Sequence, residues 1–128
     1  MEDRIRVLLA EDEFLISLTL RLQLEAMGYL VVATPQDGAK AVALTQQLRP
    51  DVVLMDIGMP GMDGITATEI IMKECPTPVV MLSAYNDRLR SQRAQRAGAV
   101  GYVYKPVMDN QLRDAIDMAL GRPAVRGE

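Results

Sequence analysis

Side chains able to do chemistry stand in four short clusters of this 128-residue chain: Glu11-Asp12-Glu13, a lone Asp56, Ser83-Ala84, and Lys105-Pro106. No histidine occurs, which excludes histidine-ligated metals, histidine general bases, serine–histidine or cysteine–histidine nucleophilic pairs, and a phosphohistidine carrier. The chemistry must therefore rest on carboxylates, hydroxyls and lysine. Carboxylates held within a few ångströms repel by roughly 1 to 4 kcal/mol per close pair near a surface, so Glu11, Asp12 and Asp56, if they converge, invite a hard divalent cation. Mg²⁺ is the expected occupant and Mn²⁺ the substitute. Asp12, Asp56 and the backbone carbonyl of Gly58 are the expected ligands, with Glu11 ordering waters.

Convergence depends on the elements that carry these residues. Short aliphatic runs recur at 5–10, 29–33, 52–55, 78–82 and 101–104, too uniformly apolar for a sheet with one wet face. Helical spacing lies between them: a first helix ending at Gly28, then 38–48, 65–74, 87–97 and 109–120, closed by Arg49-Pro50, Cys75-Pro76, Gly98 and Gly121-Arg122-Pro123. The alternation predicts an α/β, doubly wound (βα)5 domain with a five-stranded parallel sheet and helices on both faces. In such a sheet ligands bind beyond the carboxyl ends of the strands. Glu11-Asp12-Glu13, Asp56, Ser83-Ala84 and Lys105-Pro106 follow the first, third, fourth and fifth runs, so a strand order of 2-1-3-4-5 brings them to one crevice. The domain is expected to span 1–121, with 122–128 a flexible tail.

On these residues the chain resembles the receiver (CheY-like, flavodoxin-like) domain of two-component response regulators. The resemblance rests on Glu11-Asp12, on Met55-Asp56-Ile57-Gly58-Met59-Pro60-Gly61-Met62-Asp63-Gly64, on Leu82-Ser83-Ala84, and on Tyr102 with Lys105-Pro106, in order along nearly the whole chain. It implies that Asp56 accepts a phosphoryl group, Glu11 and Asp12 hold the cation, Ser83 is the switch hydroxyl and Lys105 binds phosphate. It further implies that Ala84 leaves room for the new group, that Tyr102 turns inward after phosphorylation, and that Lys105-Pro106 contains a cis peptide. The reaction expected is self-catalysed phosphotransfer and hydrolysis rather than turnover of another substrate. The switching face would be the fourth helix, fifth strand and fifth helix. Gly58 and Tyr85 stand where the family tunes hydrolysis.

Each assignment has a plainer competitor. Asp56 competes with a turn aspartate, Glu11 and Asp12 with acids complementing a helix dipole, Ser83 with a strand-end hydroxyl, Lys105 with a surface lysine, and Tyr102 with core packing. The first helix is unusually apolar; Leu20 or Leu24, left outside the sheet contact, would mark a partner interface. The fourth helix carries Arg88, Arg90, Arg93 and Arg96 and the fifth Asp109, Asp114 and Asp117, a pairing that a twofold dimer could use.

Fourteen Lys+Arg against seventeen Asp+Glu give a net charge of −3, which argues against direct nucleic-acid or membrane binding by charge. One cysteine, Cys75, and no long apolar run point to the cytoplasm. A P-loop or dinucleotide function fails for lack of a glycine-rich loop after the first strand, and a phosphatase of similar topology needs an acid where Gly58 stands. The expected partners are a sensor histidine kinase or histidine phosphotransfer protein and a downstream output. The alternative is the receiver portion of a longer regulator with a DNA-binding or antiterminator-type RNA-binding output.

Overall fold

Every interior position of the central strands is apolar, and the structure shows why. The computed structural model describes residues 3–84 and 88–122. It contains β1 (Arg6–Ala10), α1 (Phe14–Ala26), β2 (Leu30–Ala33), α2 (Gly38–Leu48), β3 (Val52–Asp56), α3 (Gly64–Glu74), β4 (Val79–Ser83), α4 (Arg88–Ala97), β5 (Gly101–Tyr104) and α5 (Asp109–Ala119). All strand pairs are parallel, in the order β2-β1-β3-β4-β5. Strand side chains alternate between faces, so one strand feeds two cores. Leu8, Val53, Met55, Val79 and Met81 pack with Ile65, Ile71 and Ala94 of α3 and α4. Val7, Leu9, Leu54, Val80 and Leu82 pack with Leu20, Leu24, Leu112 and Ile116 of α1 and α5. Each large side chain so buried contributes about 1.5–3 kcal/mol relative to exposure.

Local sequence fixes the helix starts. The Asp37 carboxylate accepts a hydrogen bond from the Lys40 amide at 2.8 Å, and Asp63 from the Thr66 amide at 2.8 Å, capping α2 and α3. Arg49 ends α2 in the left-handed region at φ 50, a conformation glycine would adopt more easily. Arg6 Nη1 from β1 donates to the carbonyls of Leu48 at 2.9 Å and Arg49 at 2.8 Å, tying that end to the sheet.

One expectation is corrected. Leu20 and Leu24 are core residues, 4% and 0% exposed, while Phe14, Leu15, Leu18 and Leu22 carry the exposed apolar face of α1. Leu18, Leu20, Leu22 and Leu24 are spaced by two, which is about 200° on a helix, so leucine falls on both faces and the pattern cannot say which is inward. The expected helix start at Asp87, the residue Tyr85 and all of the expected tail 122–128 beyond Arg122 lie outside the described residues.

Candidate functional site

The site is built at the carboxyl ends of β1, β3, β4 and β5. Asp56 is the last residue of β3 and pairs in register with Leu82; Ser83 ends β4 opposite Tyr104. Glu11 follows β1, and its amide donates to the Pro35 carbonyl at 3.1 Å, so the loop after β2 holds it in place. The Lys105 amide donates to the Ser83 carbonyl at 2.8 Å, continuing the β4–β5 ladder one residue past the strand. The Lys105–Pro106 peptide is cis. Behind Asp56 stands Gly64, the first residue of α3, where a Cβ would collide with the Asp56 carbonyl. Only glycine lets α3 start this close to the end of β3.

Charge is concentrated and largely shielded from water. Glu11 is fully buried and Asp56 is 6% exposed. Lys105 Nζ lies 2.7 Å from Glu11 Oε1 and 3.2 Å from Asp56 Oδ1. Asp56 Oδ1 also accepts from the Gly58 amide at 3.3 Å, and Glu11 Oε2 from the Glu13 amide at 3.0 Å. Burial pushes the Asp56 carboxyl up to about 6; Lys105 and the Gly58 amide pull against this, and Glu11 adds to it. Burial of Lys105 favours the neutral amine, but its contacts with Glu11 and Asp56 outweigh that and hold its pKa above the ordinary lysine value.

Oxygen atoms of Glu11, Asp12 and Asp56 all lie within 4.8 Å of one another. Glu11 Oε1, fully buried, is held by Lys105 Nζ at 2.7 Å. An all-oxygen donor set with excess negative charge fits Mg²⁺ or Mn²⁺ and not a soft metal. The crevice lined by Asp12, Asp56, Gly58, Ser83 and Lys105 has a volume of about 180 Å³, below the roughly 300 Å³ at which drug-sized ligand pockets begin.

Of the other residues singled out from sequence, Ser83 is buried and its hydroxyl donates to the Ala84 carbonyl at 3.2 Å. Ala84 is exposed at the crevice edge. Tyr102 is half-buried against the α3–α4 core, its ring centroid 5.2 Å from that of Tyr104. The supposed arginine row is divided: Arg93 and Arg96 line a groove with Ile65, Thr66 and Glu69 of α3, whereas Arg90 lines the acidic crevice. Asp109 accepts from Gln23 Nε2 at 2.6 Å and so faces α1. Sequence reasoning missed the place of Arg90; the signal was its position in the first turn of the helix that leaves β4, which must pass the strand ends. Cys75 is a buried free thiol, and burial raises its pKa. Among the described residues no helix is long and apolar enough to cross a membrane.

Comparison with known proteins agrees with this fold. The family model of the response regulator receiver domain matches residues 7–117. The transcriptional regulatory protein PdtaR of Mycobacterium tuberculosis is 42% identical over 117 residues, covering 91% of this chain and 57% of its own. A protein-glutamate methylesterase/protein-glutamine glutaminase of Archaeoglobus fulgidus is 40% identical over 116 residues, covering 89% of this chain and 33% of its own. The chain thus spans only part of the length of these curated relatives. Among solved structures, the response regulator domain of Thermotoga maritima CheB superimposes with a TM-score of 0.86 at 32% identity, covering 94% of this chain and 99% of that one. The CheX-CheY complex of Borrelia burgdorferi with BeF3 and Mg superimposes at 0.82 and 26% identity, covering 89% and 87%. The match runs from the second residue of β1 into α5, so the whole fold is shared and not one motif: this chain belongs to the receiver domain family of two-component response regulators.

Proposed function

We propose that this receiver takes a phosphoryl group onto Asp56 from a histidine kinase or histidine phosphotransfer protein and uses the change to alter the face formed by α4, β5 and α5. The observation that carries the reading is the meeting of three carboxylates within 4.8 Å with Lys105 set 3.2 Å from Asp56 at the ends of the strands. An Asp56 oxygen bonds to phosphorus as the donor's phosphorus–nitrogen bond breaks, and the departing imidazole nitrogen takes up a proton. Hydrolysis reverses the state: water attacks phosphorus, inorganic phosphate leaves and the carboxylate is restored. Asp12 and Asp56, with Glu11 ordering waters and the Gly58 carbonyl as a further ligand, would hold Mg²⁺ or Mn²⁺. Once bound, the ion would neutralise charge developing on the phosphoryl oxygens. Lys105 supplies a second cation to those oxygens. Ser83 turns from the Ala84 carbonyl to donate to the phosphoryl group, a bistable movement that exposed Ala84 leaves space for, and Tyr102 moves inward behind it. The solved relative holding BeF3 and Mg supports this chemistry.

The donor's approach is also supported by α1. Its exposed Leu15 lines a groove that Ile16, Leu20 and Gln23 share with Lys105 and Pro106, beside the crevice, and Phe14, Leu18 and Leu22 extend the exposed apolar surface of the helix. A protein donor docking there would bring its histidine to Asp56. A second reading, a receiver controlling an attached output, is favoured by the greater length of the relatives, whose names cover both transcription control and methylesterase activity. The full length of the gene decides it. The phosphoacceptor reading is tested by intact mass after exposure to acetyl phosphate. The expected result is a gain of about 80 Da that requires both Mg²⁺ and Asp56 and is absent in Asp56→Asn. An adduct that forms in Asp56→Asn or in the absence of divalent cation contradicts it.

A further inference from the structure

Lys105 reaches Glu11 and Asp56 from the loop between β5 and α5, and that loop is anchored on both sides. On the β5 side the Lys105 amide donates to the Ser83 carbonyl at 2.8 Å. On the α5 side the anchor comes from another helix: Gln23 Nε2 of α1 donates to the Val107 carbonyl at 2.9 Å and to Asp109 Oδ1 at 2.6 Å. A carboxamide nitrogen carries two hydrogens, so one side chain serves both acceptors, neither of which can donate in return. Val107 follows Lys105 by two residues, and Asp109 opens α5. Gln23 lies in the sequence between the core residues Leu20 and Leu24 and lines a groove with Leu20, Lys105, Pro106 and Val107. Packing α1 on the sheet calls for apolar side chains, whereas fixing a long amide costs rotamer entropy, so its two bonds to the lysine loop need a reason beyond packing.

We propose that Gln23 is a positioning residue for phosphotransfer: by tying the α5 side of the loop to α1, it holds Lys105 where the ammonium reaches Asp56. The proposal rests on the reading of Asp56 as phosphoacceptor. With the tie cut, the Val107 carbonyl and the Asp109 carboxylate turn to water, and the segment 105–107 keeps only its Ser83 anchor. A displacement of about 1 Å in a positioned group can cost up to about a hundredfold in rate. The test follows Asp56 phosphorylation by acetyl phosphate at saturating Mg²⁺, read by intact mass against time, in the native chain, Gln23→Ala, Gln23→Glu, Lys105→Met, and Gln23→Ala combined with Lys105→Met. Calorimetry gives Mg²⁺ affinity, and urea denaturation shows that each variant is folded at the assay temperature. Gln23→Ala should lower the maximal rate about threefold to tenfold. Gln23→Glu keeps the length but sets a carboxylate against Asp109 and the Val107 carbonyl, so it should lose at least as much. Mg²⁺ affinity in Gln23→Ala should be unchanged or tighter, because Gln23 touches none of the expected ligands and a displaced Lys105 frees the carboxylates for the ion. In the Lys105→Met background Gln23→Ala should change the rate by less than about twofold, since a tie that acts through the ammonium then has nothing to position. A native rate in both Gln23 variants overturns the proposal, as does a loss that persists in full beside Lys105→Met or comes with weaker Mg²⁺ binding, either of which makes Gln23 a general support of the fold. Absence of any adduct on the native chain overturns the reading of Asp56 and the role of Gln23 with it; an adduct that forms at the native rate in the Gln23 variants overturns the role of Gln23 alone.

Discussion

β3 contains two kinds of buried residue within five positions. Val52, Val53, Leu54 and Met55 are fully buried among aliphatic side chains, and Asp56, next in line, is almost as buried but faces Glu11 and Lys105. Burial favours the first four and opposes the charge on the fifth, which is why the Asp56 carboxyl rises to about 6. The strand interior is therefore optimised for stability, while its end holds an unfavourable arrangement that a cation and a phosphoryl group can relieve. The same scaffold does both because neighbouring strands fix the carboxylates in place.

Substitutions should separate the two regions. The largest effect is expected from Leu54→Ala, where a cavity in the α1–α5 core should lower stability by about 2–5 kcal/mol in urea denaturation, with Mg²⁺ binding retained at temperatures where the protein is folded. Lys105→Met should come next, at about 1–3 kcal/mol near pH 7.5, because Glu11 and Asp56 then face each other without a cation. That loss should shrink near pH 5, where a carboxyl can protonate; a loss independent of pH would assign Lys105 a packing role instead.

The pH dependence of the metal-free protein has a definite sign. Asp56 binds its proton more tightly when folded, about 6 against an ordinary 3.8, so the folded state holds more protons between these values. Stability from this group falls as pH rises from about 4 to about 6, by at most about 3 kcal/mol, and then stays level. Mg²⁺ affinity runs the other way and should drop as pH falls through about 6, a trend calorimetry would reveal. Far from the crevice, Arg49→Gly should relieve the left-handed C-cap of α2 and raise the melting temperature slightly, by about 0.5–1 kcal/mol of stability. A decrease would show that the Arg49 side chain matters more than its backbone.

Much of this was legible in the sequence because strands buried on both faces must be aliphatic, which marks their ends, and polar residues just past those ends stand out. That Glu11, Asp12, Asp56, Ser83 and Lys105 stand at strand ends follows from that pattern; their gathering needed the strand order 2-1-3-4-5, which the pattern alone does not dictate. The exposed face of α1 was not legible, since leucines spaced by two leave no polar side to orient the helix. Arg90 was hidden among the other arginines of α4, because composition cannot say which turn of a helix overlooks a neighbouring loop. The depth of Glu11 was also hidden: nothing in Glu11-Asp12-Glu13 distinguishes the buried carboxylate from its half-buried and exposed neighbours.

The contrast along β3 is tested most directly by comparing the urea stability of the native chain and Asp56→Asn at pH 7.5, in chelator and in excess Mg²⁺. Asparagine keeps the shape and removes the buried charge, so Asp56→Asn should be more stable by about 1–3 kcal/mol in chelator. Mg²⁺ should narrow or reverse the gap, because only the native crevice gains from binding the ion. Equal or lower stability of Asp56→Asn in chelator, or a gap that ignores Mg²⁺, would contradict the account.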